Sequence, residues 1–389
     1  MGLNVVAQIP TTPGMYNLTM QHDSVTRKFL LIIPNTYNPA NNSPLMFCFH
    51  GGNGTIQTFV YDQIDTVNGG REQLFEKADS AGIVLVFPEA LFNSLSGGTL
   101  WNDDNLYPQT NSPYDDIGYV LHLIDTLSQS LSLDTTRLYA AGFSSGAKFT
   151  QFLGSQLPCK FAALVAIAGR TANQVSLTDT TLISFPTPTA PVSVMVVRGK
   201  LDAKVPYYGG INFEGANITS AFDDLNYWLN ANNCNDSLYT TANMGDTVET
   251  RTYYQCTDSV KVKLVTLKYM GHVWPNAYHN VYWNANTEAI DFVIQFNNSN
   301  CTTFVGMEEI NLLPQILLYP NPTLNEIIVN SNSQLVGSTY IIYDQLGRAL
   351  MTGKLNSEIY KIDLVNLPAG IYLFSAGENH KQTFKVIKN

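Results

Sequence analysis

Short apolar runs recur along most of the chain, each separated from the next by a polar stretch long enough to hold a helix. The runs are Phe29-Leu30-Leu31-Ile32-Ile33, Leu45 to His50, Ile83 to Phe87, Leu138 to Ala141, Ala163 to Ala168, Val192 to Val197 and Val262 to Tyr269. Several are apolar at nearly every position, the pattern of strands buried on both faces. The spacers predict helices at Gly70 to Ala81, Ile117 to Ser130, Lys148 to Gln156 and Ala221 to Asn232. Alternation of this kind predicts an α/β fold, a mostly parallel sheet flanked by helices on right-handed crossovers. In such sheets, ligands meet the loops at the carboxyl ends of the strands.

The pattern changes after Asn297. Beyond Pro314 the candidate strands are Ile316 to Tyr319, Glu326 to Asn330, Thr339 to Asp344, Ile359 to Asp363, Ile371 to Ser375 and Thr383 to Ile387, with no helical period among them. Turn signals separate them at Pro320-Asn321-Pro322, Leu346-Gly347-Arg348 and Pro368-Ala369-Gly370. The reading is a large α/β domain over 1–300, a linker over 301–315 and a small all-β sandwich over 316–389.

Composition narrows the partners. Of the 389 residues, 45% are hydrophobic and only 13% charged, which suits a globular chain with a neutral polar surface. A net charge of -10 and a pI near 5.0 argue against a nucleic-acid partner, which needs clustered Lys and Arg. No apolar run approaches the roughly 18 residues of a membrane span. The start, Met1-Gly2-Leu3-Asn4, lacks a basic segment followed by an apolar one. Either the protein is cytosolic, or a leader has been removed and a new start supplied.

Five cysteines leave at least one unpaired within the chain. Cys234 and Cys256 flank the polar stretch Asn235 to Gln255, a surface excursion that a disulfide would staple. Cys48 sits inside an apolar run and reads as a buried small hydrophobe. Cys159 and Cys301 remain unassigned, and no paired spacing suggests a metal site.

The chemistry centres on Gly142-Phe143-Ser144-Ser145-Gly146, which fits a G-x-S-x-G elbow between the run Arg137 to Ala141 and a helix. Such a turn exposes Ser144 as nucleophile and places the Ser145 N–H at a helix start, where an oxyanion can sit. The five letters alone also fit an ordinary Gly/Ser turn. A serine needs a base, and the base an orienting acid, in the chain order Ser, Asp or Glu, His. Asp202 follows the run Val192 to Val197, and His272 follows Val262 to Tyr269, each at a strand end. Alone, either has a plainer role as a turn aspartate or a structural histidine; the joint order carries the assignment. His50-Gly51-Gly52-Asn53-Gly54, directly after the run Leu45 to Phe49, offers a second oxyanion donor from Gly51 or Gly52.

Together these segments resemble the polyhydroxybutyrate depolymerase and feruloyl esterase group of α/β-hydrolases, which includes acetyl xylan esterases. The resemblance rests on His50-Gly51-Gly52, Trp101-Asn102, Asp115-Asp116-Ile117-Gly118, Gly142 to Gly146, Gly199 to Asp202 with Val205-Pro206, and Gly271-His272-Val273-Trp274-Pro275. It implies a monomeric serine esterase with the triad Ser144, Asp202 and His272, needing no metal or organic cofactor. Its substrates would be feruloyl or acetyl esters of plant polysaccharide, or polyesters including aromatic ones. Trp101 and Trp274 are expected to wall the substrate pocket. Two departures stand out: Ala147 replaces a glycine common in relatives, and Gly52 replaces a cysteine. The rival class is a carbohydrate-binding surface protein with an inactive hydrolase core.

The tail resembles the C-terminal sorting domain read by the type IX secretion machinery. Leu318-Tyr319-Pro320-Asn321-Pro322, Tyr343 to Arg348, Leu367-Pro368-Ala369-Gly370-Ile371-Tyr372 and the basic end Lys385 to Asn389 carry that resemblance. It implies a secreted or cell-surface protein and favours a removed leader over a cytosolic one.

Overall fold

The computed structural model describes residues 8–60, 70–94, 96–103, 114–174, 180–276, 283–299, 316–319, 323–331, 335–344, 348–357, 359–376 and 382–388. Cys301, the expected linker and the Pro320-Asn321-Pro322 turn lie outside them. The chain divides into two compact units, Met1–Thr303 and Phe304–Asn389.

In the first unit, ten strands form one sheet: β1 (Gly14–His22), β2 (Val25–Ile33), β3 (Ser43–Phe49), β4 (Val84–Pro88), β5 (Leu133–Phe143), β6 (Ala163–Ile167), β7 (Ser193–Gly199), β8 (Tyr239–Met244), β9 (Val248–Tyr253) and β10 (Val262–Leu267). Their order across the sheet is β1-β2-β4-β3-β5-β6-β7-β10-β9-β8. From β4 to β10 every pairing is parallel, and both edges are antiparallel. This is the α/β-hydrolase order, in which the chain swaps β3 and β4 and then advances one strand per crossover.

The all-apolar central strands are explained by the two cores. Leu45, Phe47 and Phe49 point into one, while Met46 and Cys48 point into the other. Helices α2 (Asp116–Ser130), α3 (Ser145–Gln156) and α4 (Ala221–Ala231) cover the first face through Leu123, Phe152 and Trp228. Helices α1 (Gly70–Ser80) and α5 (Ala285–Val293) cover the second through Leu74 and Ile290. No described helix is long and apolar enough to cross a membrane.

Cys234 and Cys256 are disulfide-bonded and bracket the β8–β9 hairpin, so the polar stretch between them is sheet edge rather than irregular excursion. Among the described residues Cys48 and Cys159 are free, Cys48 buried with its thiol pushed upward by desolvation.

The second unit stacks two antiparallel sheets. One is β11 (Leu317–Tyr319), β12 (Glu326–Asn330) and β15 (Ile359–Asp363); the other is β14 (Ala349–Lys354), β13 (Thr339–Tyr343), β16 (Gly370–Ala376) and β17 (Gln382–Lys388). Ile327, Val329 and Ile362 from the first share a core with Ile342, Phe374 and Val386 from the second, which makes a sandwich.

Candidate active site

The turn from β5 into α3 is tight enough to dictate its own sequence. A Cβ added to Gly142 would strike the Gly146 carbonyl, and one added to Gly146 would strike the Phe49 and His50 carbonyls. Ser144 sits between them with φ 55°, ψ -117°, a strained conformation for a residue with a side chain. The Ser144 N–H donates to the Ile167 carbonyl at the end of β6 (2.9 Å), which holds the elbow against the next strand.

The hydroxyl faces the histidine. Ser144 Oγ lies 2.9 Å from His272 Nε2, and His272 Nδ1 lies 2.8 Å from Asp202 Oδ2. The network assigns Nδ1–H as donor to the carboxylate and leaves Nε2 to accept from the serine. Asp202 is buried, and its Oδ1 accepts from the Lys204 and Val205 amides at 2.9 and 2.8 Å. The Asp202 and His272 loops are joined by the Leu201 N–H, which donates to the Met270 carbonyl (3.0 Å). Residues from the ends of β5, β7 and β10 thus meet at one point.

The glycine turn after β3 is set by a buried imidazole. His50 Nε2 accepts from the Ala90 amide (3.0 Å), so Nδ1 carries the proton and donates to the Gly51 carbonyl (2.7 Å). Burial pushes the His50 pKa down to about 4. The Gly54 amide also donates to that carbonyl (3.1 Å). In a planar trans peptide the C=O and following N–H point oppositely, so the Gly52 N–H is turned away from His50. A Cβ on Gly52 would lie 3.5 Å from Ser145 Oγ, which places this peptide over the first residue of α3.

The structure corrects the expectation for Trp101 and Trp274: each is 2% exposed and neither offers a wall. Trp101 donates Nε1–H to the His50 carbonyl and stacks on Phe149, while Trp274 donates to Asn286 Oδ1 and packs edge-on against Phe59. The physical reason is satisfaction of the indole N–H inside the core, which lets the whole ring be buried. Asp116 links the segments Trp101-Asn102 and Asp115-Asp116. It accepts from Arg27 and from the Asn102 amide, tying that segment to the start of α2, where Asp115 caps Gly118. Apolar surface instead sits on the Asp202 and His272 loops and just beyond them, at exposed Leu201, Tyr208, Ile211, Phe213 and Tyr269.

Two charged groups escaped the sequence reading. Arg198, at the end of β7, is buried against Asp224 of α4 and donates to the Gly169, Pro206 and Thr219 carbonyls. Lys148, in the first turn of α3, is buried in an ion pair with Asp103, and burial pushes its pKa down to about 8. Both look like surface charges in sequence, since only tertiary packing brings their partners near.

The tail residues 317–389 match the family described as the secretion system C-terminal sorting domain. The chain is similar to a bifunctional acetylxylan esterase/xylanase of Neocallimastix patriciarum, 26% identical over 67% of this chain and 32% of the relative. It is also similar to a poly(3-hydroxybutyrate) depolymerase of Ralstonia pickettii, 30% identical over 34% of this chain and 26% of the relative. The chain thus spans between a quarter and a third of these relatives' lengths. Among solved structures, an acetyl xylan esterase from Aspergillus awamori superimposes with a TM-score of 0.48 at 13% identity, covering 71% of this chain and 99% of the other. The chain is therefore a relative of carboxylic ester hydrolases that carries an export sorting domain at its C-terminal end.

Proposed function

We propose that the protein is a secreted serine esterase that hydrolyses carboxylic esters of plant polysaccharide, acetyl or feruloyl, through an acyl-enzyme. The observation that carries this reading is the continuous hydrogen-bonded chain Ser144–His272–Asp202 at the carboxyl edge of the sheet. His272 takes the Ser144 proton as Oγ attacks the ester carbonyl, and Asp202 stabilises the resulting imidazolium. The Ser145 and Gly52 amides receive the oxyanion, each contributing about 3 kcal/mol to the transition state. His272 then protonates the leaving alcohol, and water releases the acid by the same route. The Ser145 amide belongs to the first helical turn, whose N–H groups have no partner within the helix.

The exposed Leu201, Tyr208, Ile211 and Phe213 favour a second reading, a polyester surface, because they set an apolar face beside the acid loop. In both readings the tail is an address for the type IX secretion machinery. The test is hydrolysis of methyl ferulate, acetylated xylan, polyhydroxybutyrate and an aromatic polyester by wild type and Ser144→Ala. The variant should lose about 10⁴-fold or more in kcat. Turnover that persists in Ser144→Ala would overturn the triad, and activity confined to the polyesters would select the second reading.

A further inference from the structure

A recess of about 390 Å³ opens between α4, the Thr171 and Thr219 loops and the segment from Ser184 to Thr187. That volume falls in the roughly 300–1,000 Å³ range of small-molecule sites. The side chains that build the recess and those left free in it are different sets. Thr171 and Thr219 both donate their hydroxyls to buried Asp224 (2.9 and 2.7 Å). Tyr227 of α4 donates to the Pro186 carbonyl (2.6 Å), which pins the segment Pro186-Thr187-Pro188 to the helix, and a proline on either side of Thr187 stiffens the backbone there. The recess is therefore preformed. Ser184, Thr187, Asn226 and Asn230 also line it, and their side chains make no hydrogen bond among the described residues. Asn226 and Asn230 stand one turn apart on α4, so their amides share a face.

The lining holds one charged group, Asp223, whose carboxylate accepts from the Ser220 amide in the capping box of α4, and no Lys or Arg. An anion would meet that carboxylate and no cation. A polyhydroxy ligand meets amides and hydroxyls that both donate and accept, with the Tyr227 ring and Ala231 beside them for its apolar face. We propose that this recess is a second binding site for an uncharged oligosaccharide, which holds a polysaccharide chain while one of its esters reaches Ser144. Thr171 lies four residues beyond Ile167, whose carbonyl holds the Ser144 N–H, so chain length alone keeps the recess within about 22 Å of the nucleophile. A second contact on the same polymer raises the concentration of its esters at the triad. The role in turnover rests on the polysaccharide-ester reading above; the binding rests on the recess alone.

Xylohexaose and cellohexaose, which carry no ester, are titrated by calorimetry into the full chain. At least one should bind, and Asn226→Ala combined with Asn230→Ala should weaken it about tenfold, the scale of two neutral hydrogen bonds. Both positions are exposed on α4 and alanine favours a helix, so the double variant should keep the wild-type urea midpoint. On acetylated xylan the same variant should raise KM about tenfold at unchanged kcat, with kcat/KM for 4-nitrophenyl acetate unaltered. No binding of either hexasaccharide, binding unchanged in the double variant, or an unmoved KM on acetylated xylan would overturn the site and leave the esterase intact. Binding that the double variant loses, in a chain that turns over no acetylated xylan, would keep the site and sink the polysaccharide-ester reading.

Discussion

Two buried cation–carboxylate groups are linked through the loop after β6, and they differ in how completely they are used. On the side of the Asp202 loop, Asp224 accepts from Arg198, from the Thr171 amide and hydroxyl and from the Thr219 hydroxyl, while the terminal nitrogens of Arg198 reach four carbonyls. Only the Arg198 Nε lacks a partner there. On the α3 side, Asp103 pairs with Lys148 but keeps Oδ1 without a partner among the described residues. The contrast teaches that burial of charge is not one phenomenon. The first group clamps the loops after β6 and β7 to α4 and thereby positions Asp202; the second holds bonding capacity in reserve.

The sharpest way to break this comparison is to remove Asp224. Asp224→Ala leaves the Arg198 guanidinium buried and uncompensated, which should cost about 3–5 kcal/mol of stability. Urea unfolding of the full chain, followed by tryptophan fluorescence, measures it. A loss under about 1 kcal/mol would mean that the clamp is not structural.

His50 extends the comparison to a neutral group of the fully used kind. Its folded pKa is lowered to about 4, below the ordinary 6.5, so between those values the unfolded chain binds a proton that the native chain refuses. Its contribution is complete above pH 6.5 and is lost as pH falls toward 4, on the order of 3 kcal/mol. Relative to wild type, His50→Gln should therefore show a shallower fall in the urea midpoint between pH 7 and 4.5. Parallel curves would show that His50 protonates as easily folded as unfolded. The Gly51 carbonyl it holds would then need another anchor.

Much of this fold was legible because burial on both faces leaves no room for ambiguity: β3 and β6 are apolar at every position but one, Ser43, and the sheet center follows from them. The elbow and the order Ser144, Asp202, His272 were legible because strand ends put them on one edge. The β8–β9 hairpin was not, since Tyr239–Met244 and Val248–Tyr253 form a polar sheet edge whose alternation is masked by Thr and Asn. Strand β14, Ala349–Lys354, was missed for the same reason, being mostly exposed. Trp101 and Trp274 misled because an indole in a motif looks functional, whereas a single N–H bond lets it disappear into the core. Lys148 carries no local signal at all: its meaning lies in Asp103, which is distant from it in sequence.

The mildest effect tests the reserve group itself. Replacing the Lys148–Asp103 pair by Lys148→Met with Asp103→Leu removes one charge of each sign and so leaves the net charge of the region unchanged. Each ion in the native pair has lost its water, and Asp103 Oδ1 has no protein donor in return. Replacing such a pair by apolar side chains of similar volume is often neutral or stabilising. The double variant should thus unfold within about 1 kcal/mol of wild type, far from the Asp224→Ala loss. A destabilisation matching Asp224→Ala would place both groups in the scaffold and remove the distinction between them. Near-equal stability would show that the fold does not need this pair.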